Sequence, residues 1–320
     1  MSIVVAAYNE EEVIQLFFDR LRVVLDGIGE SYEIVCVNDG SNDQTRRLLD
    51  EAHLADPRIK VLHLARNFGK ERALTAGLDH ASGQAVVPLD ADLQDPPELI
   101  ADFVRLWREG NHVVYAVRHA RDTDSFLKRT TAGAFYAMVN RVSNVEIPRN
   151  AGDFRLMDRR VVDALKGMRE RNRFMKGLFA WVGFRQTSIS YERPARAAGK
   201  TKFNYWRLWN FAIDGITGYS TVPLRFAGYF GLMFAMLAML YGLYLLVRTM
   251  IYGADVPGYA SIMVAVVFMG GMQLVVLGII GEYLGRLYDE AKQRPLYIIE
   301  SSAGFDVPQA LTDPHDGRPK

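Results

Sequence analysis

Two stretches of this chain, residues 226–247 and 260–280, contain no Asp, Glu, Lys or Arg. As helix, the first would span about 33 Å, against a bilayer hydrocarbon core of about 30 Å. A surface helix of a soluble protein keeps a polar face, whereas these runs are apolar all round and read as membrane spans. Gly270, Gly271, Gly278 and Gly281 would let the two helices approach closely. Lys200, Lys202, Arg207 and Arg225 precede the pair, Arg286, Lys292 and Arg294 follow it, and the connecting turn holds only Arg248 and Asp255. Positive-inside logic then places both ends in the cytosol and the turn outside. Trp206, Trp209, Phe211, Ile213 and Ile216, interleaved with Arg207 and Asp214, mark an interfacial amphipathic segment over 204–222.

A chain so anchored must present its front part to the membrane surface, and that part reads as α/β. Residues 2–7 form an unbroken apolar run, as in a strand buried on both faces of a parallel sheet. No basic flank or long apolar stretch marks it as a signal peptide, which keeps the front in the cytosol. Further strands are expected at 33–38, 60–64, 85–89 and 112–117, separated by helices ending near Gly27, at Ala81 and near Glu109. Asn9 is placed to cap the first helix, and Ser41 with Gln44 fits a capping box for the second. Such alternation predicts a mostly parallel sheet with right-handed crossovers. The single cysteine, Cys36, lies in an apolar run and reads as a small core residue. Lys and Arg total 38 against 37 Asp and Glu, so no overall field favours nucleic acid.

Ligands in such sheets bind beyond the carboxyl ends of the strands. There the chain places Tyr8, Asn9 and Glu10, then Asp39, then Asp90 and Asp92, then Arg118. Neither a G-x-G-x-x-G after the first strand nor a Walker A loop is present. Asp90 and Asp92, with Gln94 behind them, offer only oxygen ligands, which suit Mg²⁺ or Mn²⁺. A solvated acidic turn has the same local sequence, so the surroundings must decide. Asp153, between Gly152 and Phe154, reads either as a helix cap paired locally with Arg155 or as a catalytic carboxylate. Arg193, Arg196, Lys200 and Lys202 lie in a cationic loop that is either a basic linker or a phosphate clamp. Residues 121–129 read as a charged loop, 130–142 as a helix, and 301–320 as a disordered tail. The six histidines show no ligand spacing.

Taken together, Ala7-Tyr8-Asn9-Glu10, Asn38-Asp39-Gly40-Ser41, Asp90-Ala91-Asp92-Leu93-Gln94-Asp95-Pro96-Pro97, Gly152-Asp153-Phe154-Arg155-Leu156 and Gly199-Lys200-Thr201-Lys202 resemble the motif set of the family-two (GT-A) glycosyltransferases. The resemblance is to the polyprenyl-phosphate hexosyltransferase branch, which includes dolichol-phosphate mannose synthase and the bactoprenol glucosyltransferases. It runs in order over about residues 2–295, although Ala6 stands where many relatives have proline.

The resemblance implies a GT-A domain over 1–203, interfacial helices over 204–222, two spans within 223–285, and a cytosolic tail over 286–320. It implies a nucleotide-sugar site at Ala7, Tyr8, Glu10, Asp39, Lys70, Asp90, Ala91 and Asp92, with a divalent cation at Asp92 and Gln94. Asp153, Asp92 and Arg118 become the catalytic set; Arg118, Arg129, Arg193, Arg196, Lys200 and Lys202 become the acceptor-phosphate set. The implied reaction moves one hexose, with inversion, from UDP-glucose to a polyprenyl phosphate; GlcNAc, mannose and an aminoarabinose derivative are the other sugars. A homo-oligomer fits the glycine-rich hairpin. A polymerising synthase is the rival reading, and it lacks both a Gln-x-x-Arg-Trp element and enough spans to line a channel.

Overall fold

Runs that are apolar on both faces must be covered on both faces, and the first four strands are used that way. β1 (Ser2–Ala7), β2 (Glu33–Asn38), β3 (Ile59–Leu64) and β4 (Ala85–Asp90) lie parallel in the order β3-β2-β1-β4. The connecting helices are α1 (Ile14–Ile28), α2 (Thr45–Ala55) and α3 (Lys70–His80), followed by α4 (Leu99–Arg108). These four strands and helices match the expected pattern. The computed structural model describes residues 1–118, 151–171, 173, 175–191, 222–253 and 258–305. Expectations for 121–129, 130–142, the cationic loop after Tyr191, the interfacial segment and the tail beyond Phe305 lie outside those residues.

The alternating pattern places β5 (Val113–Arg118) next to β4, but β6 (Ala151–Asp158) lies between them, antiparallel to both. β7 (Gln186–Tyr191) runs parallel to β5 at the edge. Among the described residues the sheet has eight strands, ordered β7-β5-β6-β4-β1-β2-β3-β8, with β8 formed by Ile299–Ala303. Asp153 sits within β6, so it is no helix cap. The cap of α5 (Arg159–Gly167) is Asp158, whose carboxylate accepts from the Arg160 backbone N–H at 3.0 Å. α6 (Met175–Trp181) follows.

Period two divides the strand residues between two cores. Ile3 and Val5 join Phe17, Phe18 and Phe103 on the α1/α2/α4 face, whereas Val4 joins Leu74, Val161 and Phe179 on the α3/α5/α6 face. Cys36 is fully buried on the first face, as expected.

The two apolar runs form α7 (Val222–Tyr252) and α8 (Tyr259–Ala291), both longer than the uncharged stretches. Leu224–Tyr252 and Ser261–Ala291 are long and apolar enough to cross a membrane, and their most apolar windows are not buried within the protein. Phe234 and Phe268 meet between the helices with ring centroids 5.5 Å apart. The glycines do not mediate that contact: nothing lies within 4 Å of a Cβ placed at Gly270, Gly271, Gly278 or Gly281.

Beyond α8 the chain does not become a tail at once. β8 (Ile299–Ala303) pairs antiparallel with β3 and supplies the edge strand of the sheet. Tyr297 donates its hydroxyl to Asp79 Oδ2 at 2.8 Å, and Arg46 pairs with Glu300 at 2.7 Å. The sheet-bearing unit therefore extends past residue 203 and takes its last strand from within 286–320. An otherwise unpaired β3 edge gives this short alternating segment a place to bind.

α3 lies on β1 where Gly77 leaves no room. A Cβ at Gly77 would fall 2.2 Å from Val4 Cγ1 and 3.3 Å from Val37 Cγ2. Gly77→Ala is therefore expected to destabilise by overpacking, at about 1–3 kcal/mol, despite alanine's better helix propensity. Differential scanning fluorimetry of the detergent-solubilised chain reads this as a lowered midpoint; an unchanged midpoint would mean that α3 shifts freely.

Candidate active site

β4 and β6 pair only at Ala85–Asp158 and Val86–Met157. Pro88, with no N–H to offer, lies where the next rung would fall, and the strands part. Carried on in the same register, Asp90 at the carboxyl end of β4 stands across from Asp153 on β6. An ammonium replaces the ladder there: Lys70 Nζ donates to Asp90 Oδ2 and to Asp153 Oδ2, each at 2.8 Å. The other oxygen, Asp153 Oδ1, is buried without a hydrogen-bond partner. A buried carboxylate oxygen left in this way is costly unless a ligand group meets it.

Lys70 is placed by two loops locked together. Asp39 accepts from the Phe68 and Gly69 backbone N–H groups at 2.7 and 2.9 Å. Gly40 (φ 65°) passes so close that a Cβ would fall 2.5 Å from the Arg66 carbonyl carbon. Only glycine fits this approach. The residues expected to cap α1 and α2 serve a different purpose. Asn9 (φ 56°) accepts from Asn42 N–H at 2.9 Å, Ser41 Oγ accepts from Asn9 N–H at 3.0 Å, and Thr45 Oγ1 accepts from Glu10 N–H at 2.9 Å. The β1–α1 and β2–α2 loops are thereby tied to each other, while Val13 and Gln44 occupy the cap positions without side-chain bonds.

The remaining residues fall into place around this centre. Tyr8 is exposed at the end of β1 and Glu10 is partly buried, whereas Ala7 and Ala91 are buried and offer only backbone. Asp92 Oδ1 accepts from the Gln94 backbone N–H at 3.1 Å, which fixes the turn after β4. Arg118 donates from Nε to the Tyr191 hydroxyl at 3.1 Å and lies 3.4 Å from Asp95 Oδ1, to which Tyr191 also donates. Its guanidinium nitrogen is also 3.0 Å from where a Gly152 Cβ would lie, so glycine there admits the arginine beside Asp153. Arg129, Arg193, Arg196, Lys200 and Lys202 lie outside the described residues.

Electrostatics separates the two carboxylates. Burial raises the Asp90 carboxyl against the pull of Lys70. Burial also opposes ionisation of Asp153, but Lys70, Lys176 and Arg155 outweigh it and hold that carboxyl below its ordinary value. Arg155, buried and 3.9 Å over the Phe179 ring, donates to the Gly152 carbonyl at 2.7 Å; burial lowers it to about 10. Sequence reasoning missed Lys176, Glu71, Asp95 and Tyr191. Lys176 sits on α6, where burial lowers its ammonium although Asp153 pulls the other way. No motif marks a lone lysine on a short helix, and only the fold brings it to Asp153.

Asp92 and Gln94 supply oxygen donors of the type a hard divalent cation takes. Among the described residues no three His, Cys, Asp or Glu side chains converge as a metal cage. This donor set fits Mg²⁺ or Mn²⁺ held by one or two protein oxygens together with substrate phosphates, and does not fit a closed all-protein site.

A model of glycosyl transferase family 2 matches residues 2–166, and a model of the GtrB C-terminal hairpin matches residues 222–287. An uncharacterized glycosyltransferase of Synechocystis sp. is 52% identical over 96% of each chain. A prophage bactoprenol glucosyl transferase homolog of Escherichia coli is 48% identical, covering 94% of this chain and 98% of its own. The bactoprenol glucosyl transferase of Shigella phage SfII is 47% identical over the same shares.

Glu71, next to Lys70, accepts from the Met175 backbone N–H at 3.0 Å, and burial followed by the charge of Asp153 raises its carboxyl from 4.5 to about 7. The folded state thus binds this proton more tightly than the unfolded chain does. The contribution of Glu71 to stability falls as pH rises from 4.5 to about 7, and the loss is constant above that. Glu71→Gln removes the titration, so its midpoint relative to wild type should climb between those pH values. Melting curves across that range check it; a pH-independent offset would contradict the assignment.

Proposed function

As the chain belongs to glycosyl transferase family 2, we propose that it transfers a single glucose, with inversion, from UDP-glucose to a polyprenyl phosphate at the cytosolic face of a membrane. The observation that carries this reading is the unpartnered, ionised Asp153 oxygen beside the Lys70 bridge, on a sheet continuous with an apolar hairpin. The bactoprenol named for the relatives supports a polyprenyl acceptor, and the hairpin would hold the site at the height of its headgroup.

A phosphate monoester is largely dianionic near neutral pH, its second pKa being about 6, and needs no base to become a nucleophile. Its oxygen attacks the anomeric carbon as the bond from that carbon to the diphosphate oxygen breaks, and the electron pair leaves with UDP. Asp153, kept ionised by Lys70, Lys176 and Arg155, would face the positive charge developing on the sugar ring. Lys70 and Lys176 offset the repulsion that two anionic substrates would meet at a site holding Asp90 and Asp153. Tyr8 and Glu10, with the loop clamped by Asp39, would receive the nucleoside. A cation at Asp92 and Gln94 would neutralise charge on the departing diphosphate. Arg118, braced by Asp95 and Tyr191, would stand at the phosphate side.

Incubating the purified chain with labelled UDP-glucose and polyprenyl phosphate should yield a lipid-linked monosaccharide of inverted configuration. A polymer, or a retained configuration, would refute the proposal. Asp153→Asn should lower kcat about 10²- to 10³-fold, the scale of losing one electrostatic stabiliser, with donor binding changed little. Near-normal turnover would remove Asp153 from the mechanism. Chelation with EDTA should abolish turnover and added Mg²⁺ or Mn²⁺ should restore it; persistent activity would exclude the cation.

A further inference from the structure

The apolar run of α8 ends at Ile280, and the helix continues to Ala291 through Glu282, Arg286, Asp289 and Glu290. This last part faces the β3–α3 loop across a cavity of about 650 Å³. Basic residues in its lining outnumber acidic ones two to one, and Arg66, Arg72, Arg171, Lys292 and Arg294 are among them. None of Lys70, Asp90, Asp92 or Asp153 lines it, so it is separate from the centre described above.

The acidic lining is partly committed already. Glu282 pairs with Arg286 at 2.9 Å, and Glu290 accepts from the Arg171 backbone N–H at 2.5 Å. Among the described residues Arg66, Arg72 and Arg294 form no ion pair. Arg66 lies 4.3 Å over the Phe68 ring, Arg72 reaches only the Phe68 carbonyl, at 3.4 Å, and Arg171 Nε is buried without a partner. Guanidinium groups that outnumber the carboxylates around them repel one another, and their planar donor forks match phosphate oxygens. The cavity begins one residue past the apolar run, which is headgroup depth for a helix that spans a bilayer.

We infer that this cavity binds the phosphate headgroup of an anionic lipid, at a site distinct from the sugar-transfer centre. The inference rests on the hairpin lying in a membrane and is independent of which sugar is transferred. Phe68 joins the two sites: its ring lies under Arg66, and its backbone N–H is held by Asp39 in the loop that presents Lys70.

The test uses the full chain in nanodiscs of phosphatidylcholine doped with phosphatidylglycerol, followed by native mass spectrometry of the lipids that remain bound. Wild type should retain phosphatidylglycerol roughly tenfold over phosphatidylcholine, and R66Q/R72Q/R294Q should lose that preference. Polyprenyl phosphate as competitor identifies the source. Displacement assigns the cavity to the acceptor, persistence assigns it to bulk phospholipid, and both support a lipid-phosphate site. Equal retention by wild type and a variant with an unchanged circular dichroism spectrum overturns the inference. So does displacement by inorganic phosphate as effective as that by either lipid. A chain that never enters the nanodisc would refute the membrane reading instead, before any lipid is counted.

Discussion

The arrangement depends on one ammonium between two carboxylates. Asp90 and Asp153 come from strands that have stopped pairing, and without Lys70 their charges would face each other across a half-buried gap. Lys70 can occupy that gap because α3 begins where Asp39 and Gly40 pin the preceding loop. The clamp of β2 on the β3–α3 loop therefore sets where Lys70 meets Asp90 and Asp153. Opposite shifts of the two carboxyls follow from the same geometry: one lysine, shared unequally with Lys176 and Arg155, leaves Asp153 the better stabilised anion.

The legible parts of the sequence were those governed by local rules. Short, mostly apolar segments identified β1, β2, β3 and β4 to within a residue, and a charge-free length identified the hairpin. The position of Asp90 and Asp92 at the carboxyl end of β4 was legible because the apolar strand stops there. What local rules did not reach was decided by distance in sequence. β6 enters the sheet between β4 and β5, and no short-range pattern specifies an insertion from that far along the chain. Asn9 and Ser41 have the chemistry of helix caps, yet each found a partner on the neighbouring loop. Glu71 and Lys176 are ordinary helix residues until α3 and α6 bring them beside Asp153.

Pro88 illustrates how a residue unsuited to a central strand can be retained. On one side β4 keeps its pairing with β1 through Asp90; on the other the ladder with β6 ends two residues before the proline. The missing rungs leave the gap that Lys70 bridges between Asp90 and Asp153. The break in the hydrogen-bond ladder and the Lys70 bridge have the same origin.

The return of the chain from α8 to pair with β3 makes the hairpin an insertion between two strands of one sheet, not an appendage at its end. Removing everything after β7 would therefore strip an edge strand and bare the backbone of β3, a surface prone to sticking to other chains. A water-soluble derivative that keeps the sheet whole would need a short bridge from the end of β7 to Tyr297, so that β8 can still dock.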